Sequence, residues 1–451
     1  MYKFILSFRY VFKRRISYLA LLAVALCVFI VVVVMTVMRG LVTDFRQKNH
    51  SFVGDCVVGT ESLVGFAYYE DFIRIVERED FVEGVSPVIR SYGLMTPRGS
   101  EQSIGVEIMG VEPARHSRVT GFGRTLHHRK NDVAKAFEPL YDPNLAGYVI
   151  GIDRAWWLER NAKGRYTYEA APANRPLAVS CFPLTPKGAL AKIGTVVVNT
   201  KTFHYSDSSH SGLARVDSSM VYLPFEEAQL LCGMDGADKR ASWLHIKFKP
   251  EVRLREGCRE VASLWRRFTE EKSGERLSYL LEEVTVHSWK DYRRAFIAAM
   301  EKEQTMLIVL FCLVGVTTVF IVFVVFYMIV SHKSKDIGIL KGVGVSSTDV
   351  IKLFLSFAFL VGVFGSFVGL LGGWLFLLKI NGIEGWLFEH FEFQLWDRTI
   401  YAIGDIPNRV DFGVLAVIVF SAVVACLTGA LVPSWRAARL KPVETLQVSQ
   451  L

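Results

Sequence analysis

Charge is missing from four long stretches of this chain. Residues 16–38, 305–330, 353–378 and 412–434 hold no Asp, Glu, Lys or Arg. Ion pathways and proton relays are built on intramembrane charge, so this absence argues against an ion-coupled pump or a polar channel. The chain also has no Gly-x-x-x-x-Gly-Lys-Ser/Thr segment, which excludes a phosphate loop for nucleotide hydrolysis on these residues. Cysteine is sparse, seven residues in 451, with no Cys-x-x-Cys or Cys-His spacing to suggest a redox or zinc centre. No nucleophile and base stand in a pattern that proposes a catalytic set.

Apolar residues are abundant instead. They make up 51% of the chain, and mean hydropathy is +0.30, too high for an ordinary soluble protein of this size. They concentrate in the four uncharged runs of 23 to 26 residues. At about 1.5 Å per residue, each run reaches across a hydrocarbon core of about 30 Å. A backbone without water must satisfy its own hydrogen bonds, so each span is expected as a helix. Residues 16–38 follow a basic start, as a signal peptide would. The run exceeds a usual signal core, however, and residues 34–38 lack a small-residue cleavage site, so an uncleaved anchor is the favoured reading.

The net charge of +8 fits topology rather than nucleic acid, because no aromatic-basic nucleic-acid signature accompanies it. Residues 1–15 carry Lys3, Arg9, Lys13, Arg14 and Arg15 with no acid. The segment between spans two and three carries Lys333, Lys335, Lys341 and Lys352, and the tail carries Arg436, Arg439 and Lys441. Residues 380–411 hold only Arg398 and Arg409 against six carboxylates. By the positive-inside rule both termini and the 332–350 hairpin face the cytoplasm. Residues 40–300 then lie outside.

The expected order is an interfacial amphipathic helix at 1–15 and a first transmembrane helix at 16–39. An extracytoplasmic α/β domain follows at 40–300, ending in a stalk helix. Spans follow at 303–331, 351–379 and 411–433, separated by the cytoplasmic hairpin and a short external loop at 380–410. Residues 434–451 form a cytoplasmic tail. The fold class is therefore an α-helical membrane protein of four transmembrane helices, with a large mixed α/β domain inserted between the first two. Within that domain residues 71–79 read as a helix and 84–89 and 103–111 as strands. Leu244, Ile246 and Phe248 alternate as in another strand, and a helix at 252–268 and a strand at 283–286 follow. Residues 112–240 are rich in Gly, Pro and Ser and read as an insertion. Residues 289–330 read as one long helix standing under the external domain. The last span reads as ended by Pro433. Gly365, Gly369 and Gly373 form small-xxx-small steps, serving either packing within the chain or a subunit interface.

The hairpin Lys335-Asp336-Ile337-Gly338-Ile339-Leu340-Lys341-Gly342-Val343-Gly344 and the tail Pro433-Ser434-Trp435-Arg436-Ala437-Ala438-Arg439-Leu440-Lys441-Pro442 are distinctive. With four spans and one large external loop, they resemble the MacB-type ABC permeases, and within those the lipoprotein-releasing permeases. Phe8-Arg9-Tyr10 and Val37-Met38-Arg39-Gly40-Leu41 are similar to that group's start and first-span exit. The resemblance departs at Asp336, where the family commonly has Glu, and at Arg39, where it commonly has Asn.

The resemblance implies mechanotransmission, with no cofactor on this chain and ATP and Mg held by a separate ABC ATPase present in two copies. A second permease, homologous or identical, would complete the transporter. Lys335, Asp336, Ile337, Gly338, Ile339, Leu340, Lys341 and Gly344 would couple to the ATPase; the other reading is a charged membrane turn. Met35, Met38 and Leu41 would contact the acyl chains of lipoprotein substrates, or else pack against neighbouring helices. Phe182, Pro183, Leu184, Thr185, Pro186, Lys187 and Gly188, ahead of a strand at 194–199, would meet a periplasmic lipoprotein carrier, or else form a plain surface loop. Membrane lipids would surround the spans in a bacterial inner membrane. His127 and His128 read as a solvated basic face. His204, Asp207 and His210 read as a Ser-rich loop rather than a metal site, and Trp156 and Trp157 as an anchor. Rival readings are a MacB-type exporter of another amphiphile and an FtsX-type transmitter controlling cell-wall hydrolases. The 261 external residues weigh against the latter.

Overall fold

The computed structural model describes residues 15–155, 157–158, 174–191, 198–332, 334–391 and 406–440. Residues 1–14, Trp156, residues 159–173 and 192–197, Lys333, residues 392–405 and the tail beyond Leu440 lie outside the described residues. With them go most of the 1–15 helix, nearly all of the 194–199 strand and the end of the tail motif. The chain divides into two compact units. A membrane unit is formed by Met1–Thr43, Ala299–Trp396 and Asp405–Leu451, and an external unit by Asp44–Ala298.

The external unit is built on a nine-stranded sheet. Its strands are β1 (Cys56–Gly59), β3 (Val82–Pro97), β4 (Ile104–Val111), β5 (Gly147–Gly151), β6 (Leu177–Cys181), β7 (Asn199–Ser209), β8 (Met220–Pro224), β10 (Trp243–Phe248) and β11 (Thr285–Ser288). Two short strands, β2 (Phe66–Ala67) and β9 (Arg240–Ala241), pair apart. The order is β11-β1-β10-β3-β4-β8-β5-β7-β6, with β6 also pairing β3. That last pairing closes β3, β4, β8, β5, β7 and β6 into a ring. The sixteen-residue β3 makes it possible: Val82–Val88 pairs with β10, and Gly93–Pro97 pairs with β6. Gly93 lies at the closure, where a Cβ would stand 2.5 Å from the Ser180 carbonyl oxygen. Residues 112–240, read from composition as an insertion, supply β5 to β8 and so belong to this same sheet.

Alternation along the strands divides the core in two. Leu244, Ile246 and Phe248 face one side with Val58, and Trp243 faces the other with Val57 and Val88. The first side is covered by α2 (Tyr69–Val76) and α7 (Leu254–Glu271). Helix α7 buries Gly257, Val261, Trp265 and Phe268, a stripe at helical spacing. Phe72 meets Trp265 edge-on at 4.7 Å between centroids, and Phe268 at 5.3 Å. The shorter helices of this unit are α3 (Pro113–Val119), α4 (Phe122–Thr125), α5 (Ala214–Ser219), α6 (Phe225–Cys232) and α8 (Trp289–Tyr292).

Among the described residues, four helices are long and apolar enough to cross a membrane. They belong to α1 (Arg15–Val53), α9 (Arg294–His332), α11 (Ser347–Phe391) and α12 (Phe412–Arg439). A short helix, α10 (Ser334–Gly342), joins α9 to α11. The fold class read from sequence holds: four such helices, and a mixed α/β domain between the first two. Three local expectations change. Helix α1 does not stop at its first charge but runs on to Val53. The helix expected from Trp289 is interrupted at Arg293 (φ −97°, ψ 12°), so α8 is a single turn before α9. Pro433 does not end the last helix, which continues to Arg439. A proline inside a helix removes one backbone bond and crowds the carbonyl four residues back, and the flanking turns carry this helix on. Next to it, Ser434 Oγ donates to the Ala430 carbonyl at 2.6 Å.

The glycine stripe of α11 packs within the chain, against α1. A Cβ on Gly369 would stand 2.4 Å from the Ala25 carbonyl oxygen, and Gly365 and Gly373 face Val24 and Val32. Gly429 of α12 admits α9 in the same way, 2.7 Å from the Val319 carbonyl oxygen. Outward faces carry Leu19, Leu22, Leu26 and Ile30 on α1 and Met306, Val309, Leu313 and Phe320 on α9, all exposed.

Candidate functional site

Between α1, α9 and α12 the membrane unit holds a cavity of about 650 Å³. Its wall is apolar: Val24, Val28, Val31 and Met35 from α1, Ile308 and Phe311 from α9, Val417 and Ile418 from α12. Polar character is confined to small groups such as Thr318 and Ser421 and to one ion pair. Arg39 Nη2 meets Asp411 Oδ2 at 2.9 Å. Asp411 also caps α12, accepting from the Gly413 amide at 2.8 Å. Both charged side chains are about half exposed, so their attraction is screened and contributes little to stability. A pocket of this size and polarity suits an apolar or amphiphilic ligand, since charge buried against acyl chains is costly.

Of the three residues read as substrate contacts, Met35 lines this cavity. Met38 is half-buried and does not line it, and Leu41 is buried in packing. Arg39, singled out for its departure from the resemblance, is the residue at the charged end.

The hairpin residues divide by exposure. Ile337 and Gly338 turn inward and join the core of the membrane unit. Leu340 is half-buried, while Lys335 and Gly344 are exposed. Ile339 is 54% exposed and Val343 83%, a pair of apolar side chains left uncovered by the described residues. Asp336 is half-buried. Lys341 is occupied: its Nζ donates to the carbonyls of Ala438 at 2.7 Å and Leu440 at 2.9 Å. Ser347 Oγ adds a third bond, to Ala438 at 3.0 Å. These carbonyls end α12, where no helical N–H remains to serve them and a cation is favoured. Lys341 therefore ties the hairpin to the last helix. The tail motif and the hairpin motif, far apart in sequence, form one structure.

The loop of Phe182 to Gly188 is a tight hairpin. Leu184 bridges Leu190, Thr185 accepts from Gly188 and donates to Ala189, and Gly188 takes φ +77°. Phe182, Lys187, Gly188 and Leu190 are exposed, while Pro183 is buried and Leu184, Thr185 and Pro186 are half-buried. Its base is fixed by Arg240, which is 1% exposed. The Arg240 guanidinium donates to the carbonyls of Leu184 at 2.8 Å, Gly233 at 2.6 Å and Val64 at 2.8 Å. Burial lowers its pKa from the ordinary arginine value. No motif marks Arg240 in the sequence; only its position between two apolar strands could have drawn notice.

The histidine segments serve structure. The buried Asp207 carboxylate accepts from the backbone amides of His127, His128 and Arg129 at 3.2, 2.9 and 2.8 Å. His204 Nδ1 pairs with Asn174 at 2.7 Å, and Trp157 meets Tyr205 edge-on. Among the described residues no three ligand-type side chains come together to hold a metal.

Sequence comparisons agree with this layout. Residues 17–138 match the MacB-like periplasmic core domain, and residues 308–442 match the FtsX-like permease C-terminal family. The chain therefore combines a MacB-like periplasmic core with an FtsX-like permease domain, the make-up of an ABC transporter permease. The second match spans α10, α11, α12 and their contact through Lys341. The lipoprotein-releasing system transmembrane protein LolC of Neisseria meningitidis is 22% identical over 97% of this permease and 95% of its own length. That of Xylella fastidiosa strain 9a5c is 22% identical over 96% of each. The periplasmic region of MacB from Actinobacillus actinomycetemcomitans covers 55% of this permease and 95% of itself, at 12% identity and a TM-score of 0.30. These two domains make the chain a membrane permease with a periplasmic domain, and imply an ATPase partner and a transport role.

Proposed function

We propose that this permease extracts lipoproteins from the outer leaflet of a bacterial inner membrane and hands them to a periplasmic carrier. ATP would be hydrolysed, with Mg, on two copies of a separate ATPase, and a second permease, identical or homologous, would complete the transporter. The observation that carries the reading is the near-full-length likeness to two proteins named for lipoprotein release. The apolar cavity supports it, because acyl chains need an uncharged wall of this size. Both termini and the hairpin would be cytoplasmic, with exposed Ile339, Val343 and Lys335 meeting the ATPase and the tie at Lys341 passing motion to α12. The loop at 182–188 would meet the carrier, held in shape by Arg240.

Export of another amphiphile is the second reading. It is favoured by the Arg39–Asp411 pair, which puts a cation within reach of an anionic headgroup at the cavity. A photo-crosslinking residue at Met35 tests both. Capture of acylated protein, with none from the same residue at buried Leu41, supports lipoprotein release. Capture of free lipid or another amphiphile alone contradicts it.

A further inference from the structure

The four cysteines of the external unit are far apart in sequence and meet in two pairs. Cys181 ends β6 and Cys232 ends α6, and their sulfurs stand 3.6 Å apart in a buried site. Cys56 opens β1 and is buried, and Cys258 lies on α7, which packs over that strand, with its side chain against the core cluster that holds Cys56. The three remaining cysteines, Cys27, Cys312 and Cys426, lie on α1, α9 and α12 of the membrane unit. No short spacing announces either pair, since 51 residues separate Cys181 from Cys232.

We propose that the external domain of this permease matures with two disulfides, Cys181–Cys232 and Cys56–Cys258. The proposal rests on the periplasmic placement of that domain, because disulfides persist in oxidising compartments. The Cys181 and Cys232 sulfurs, 3.6 Å apart, need only small rotations to reach bonding distance, and Cys258 packs against the cluster that holds Cys56. In the folded site the Cys232 thiol, hydrogen bonded to Cys181, draws the Cys181 pKa down to about 7. The neighbouring Cys56 likewise lowers Cys258. Each bond forms by exchange with a disulfide-bearing oxidant of the compartment. The Cys181 thiolate attacks one oxidant sulfur, and Cys232 then displaces the oxidant from the mixed disulfide. The oxidant leaves as a dithiol, having taken up two electrons and two protons. Cys258 and Cys56 follow the same course. Because Cys181, Cys232 and Cys56 are buried once folded, exchange belongs to the folding stage, and the finished bonds are shielded from reductant.

The first disulfide would staple the ring of strands to α6 beside the base of the 182–188 loop. The second would staple β1 to α7, so that each bond ties a helix to the sheet. The test is acid-quenched isolation of the full chain from its membranes, alkylation under denaturing conditions and mapping of linked peptides by mass spectrometry. The expected result is peptides linked 181–232 and 56–258, with Cys27, Cys312 and Cys426 alkylated. Reduction should then lower the melting temperature of the external unit by roughly 10 °C. Any other pairing overturns the proposal. So does alkylation of all four cysteines while a control periplasmic protein from the same cells is oxidised. Protease added to intact spheroplasts separates the two causes of such a failure. Digestion of the domain leaves its placement standing and the disulfides refuted; protection refutes the placement as well. In Cys181→Ser, Cys232 should become alkylated while 56–258 stays linked.

Discussion

The two units of this permease bury their interiors by different means. The external unit fills its core with aromatics and closes its polar gaps with charge. Phe72 packs edge-on to Trp265 and tilted to Phe268, Arg240 serves four carbonyls, and Asp207 serves four amides. The membrane unit does the reverse. Its helices meet through Gly365, Gly369, Gly373 and Gly429, each close to the backbone or the β-branched side chains of a neighbour. The solvent accounts for the contrast. In water, burying large apolar side chains drives folding, and a buried charge survives if fully bonded. In lipid, apolar surface gains nothing by leaving the solvent, so close contact and dispersion must hold helices together.

Four substitutions or conditions break this contrast, from the largest expected effect to the smallest. Gly369→Leu forces a branched side chain where even a Cβ lies 2.4 Å from the Ala25 oxygen. We expect loss of folded protein, read as disappearance of the monodisperse peak in detergent size-exclusion. Gly372→Ala, whose Cβ would meet only the Phe29 ring at 3.5 Å, should leave it intact. Arg240→Met leaves buried carbonyls of Val64, Leu184 and Gly233 without a donor. It should cost about 3–5 kcal/mol in thermal unfolding and speed hydrogen exchange in the 182–191 loop.

Acid should act on the external unit alone. His116 is fully buried against Ser86, and burial lowers its pKa to about 3; burial lowers that of His245 still more clearly than its neighbours do. Both are neutral when folded and titrate near 6.5 when unfolded. The unfolded state therefore binds more protons below pH 6.5, and stability falls with pH from there toward about 3, by about 1.4 kcal/mol per pH unit per histidine. Melting of the external unit should drop by several degrees between pH 7 and pH 5.5. The membrane unit has no buried histidine among its described residues, and its melting should be flat over that range. Last, Lys341→Met removes two bonds to the end of α12 and should cost about 1–2 kcal/mol. Its larger consequence should be functional: substrate-stimulated ATP hydrolysis in the assembled transporter falls while basal hydrolysis of the ATPase is unchanged.

The same contrast explains what could be read in advance. Hydropathy located the four spans because an uncharged run of 23 residues has few other uses. It marked the membrane rather than the helix, so α1 was cut at Arg39 although nothing beyond that residue breaks a helix before Gly54. Alternation located β10, since Leu244, Ile246 and Phe248 share one face. It could not show the ring, which depends on β3 changing partners midway and on Gly93 admitting β6. Residues 112–240 looked separate because turn residues dominate them, yet their strands complete the sheet. At the candidate sites, of the residues read together at the end of the first span, Met35 lines the cavity while Leu41, less than two turns further on, faces packing. The hairpin was legible as a motif. That Lys341 is committed to α12 was not, because the partner carbonyls belong to backbone nearly a hundred residues away. Arg240 and the cysteine pairs leave no trace in sequence spacing.

The most direct test of the central claim is affinity purification of the detergent-solubilised complex, with mass spectrometry of its proteins and acylated species. The account predicts an ABC ATPase, a permease partner and bound lipoproteins. A correctly folded preparation that carries an ATPase and cell-wall hydrolases but no lipidated cargo would contradict it.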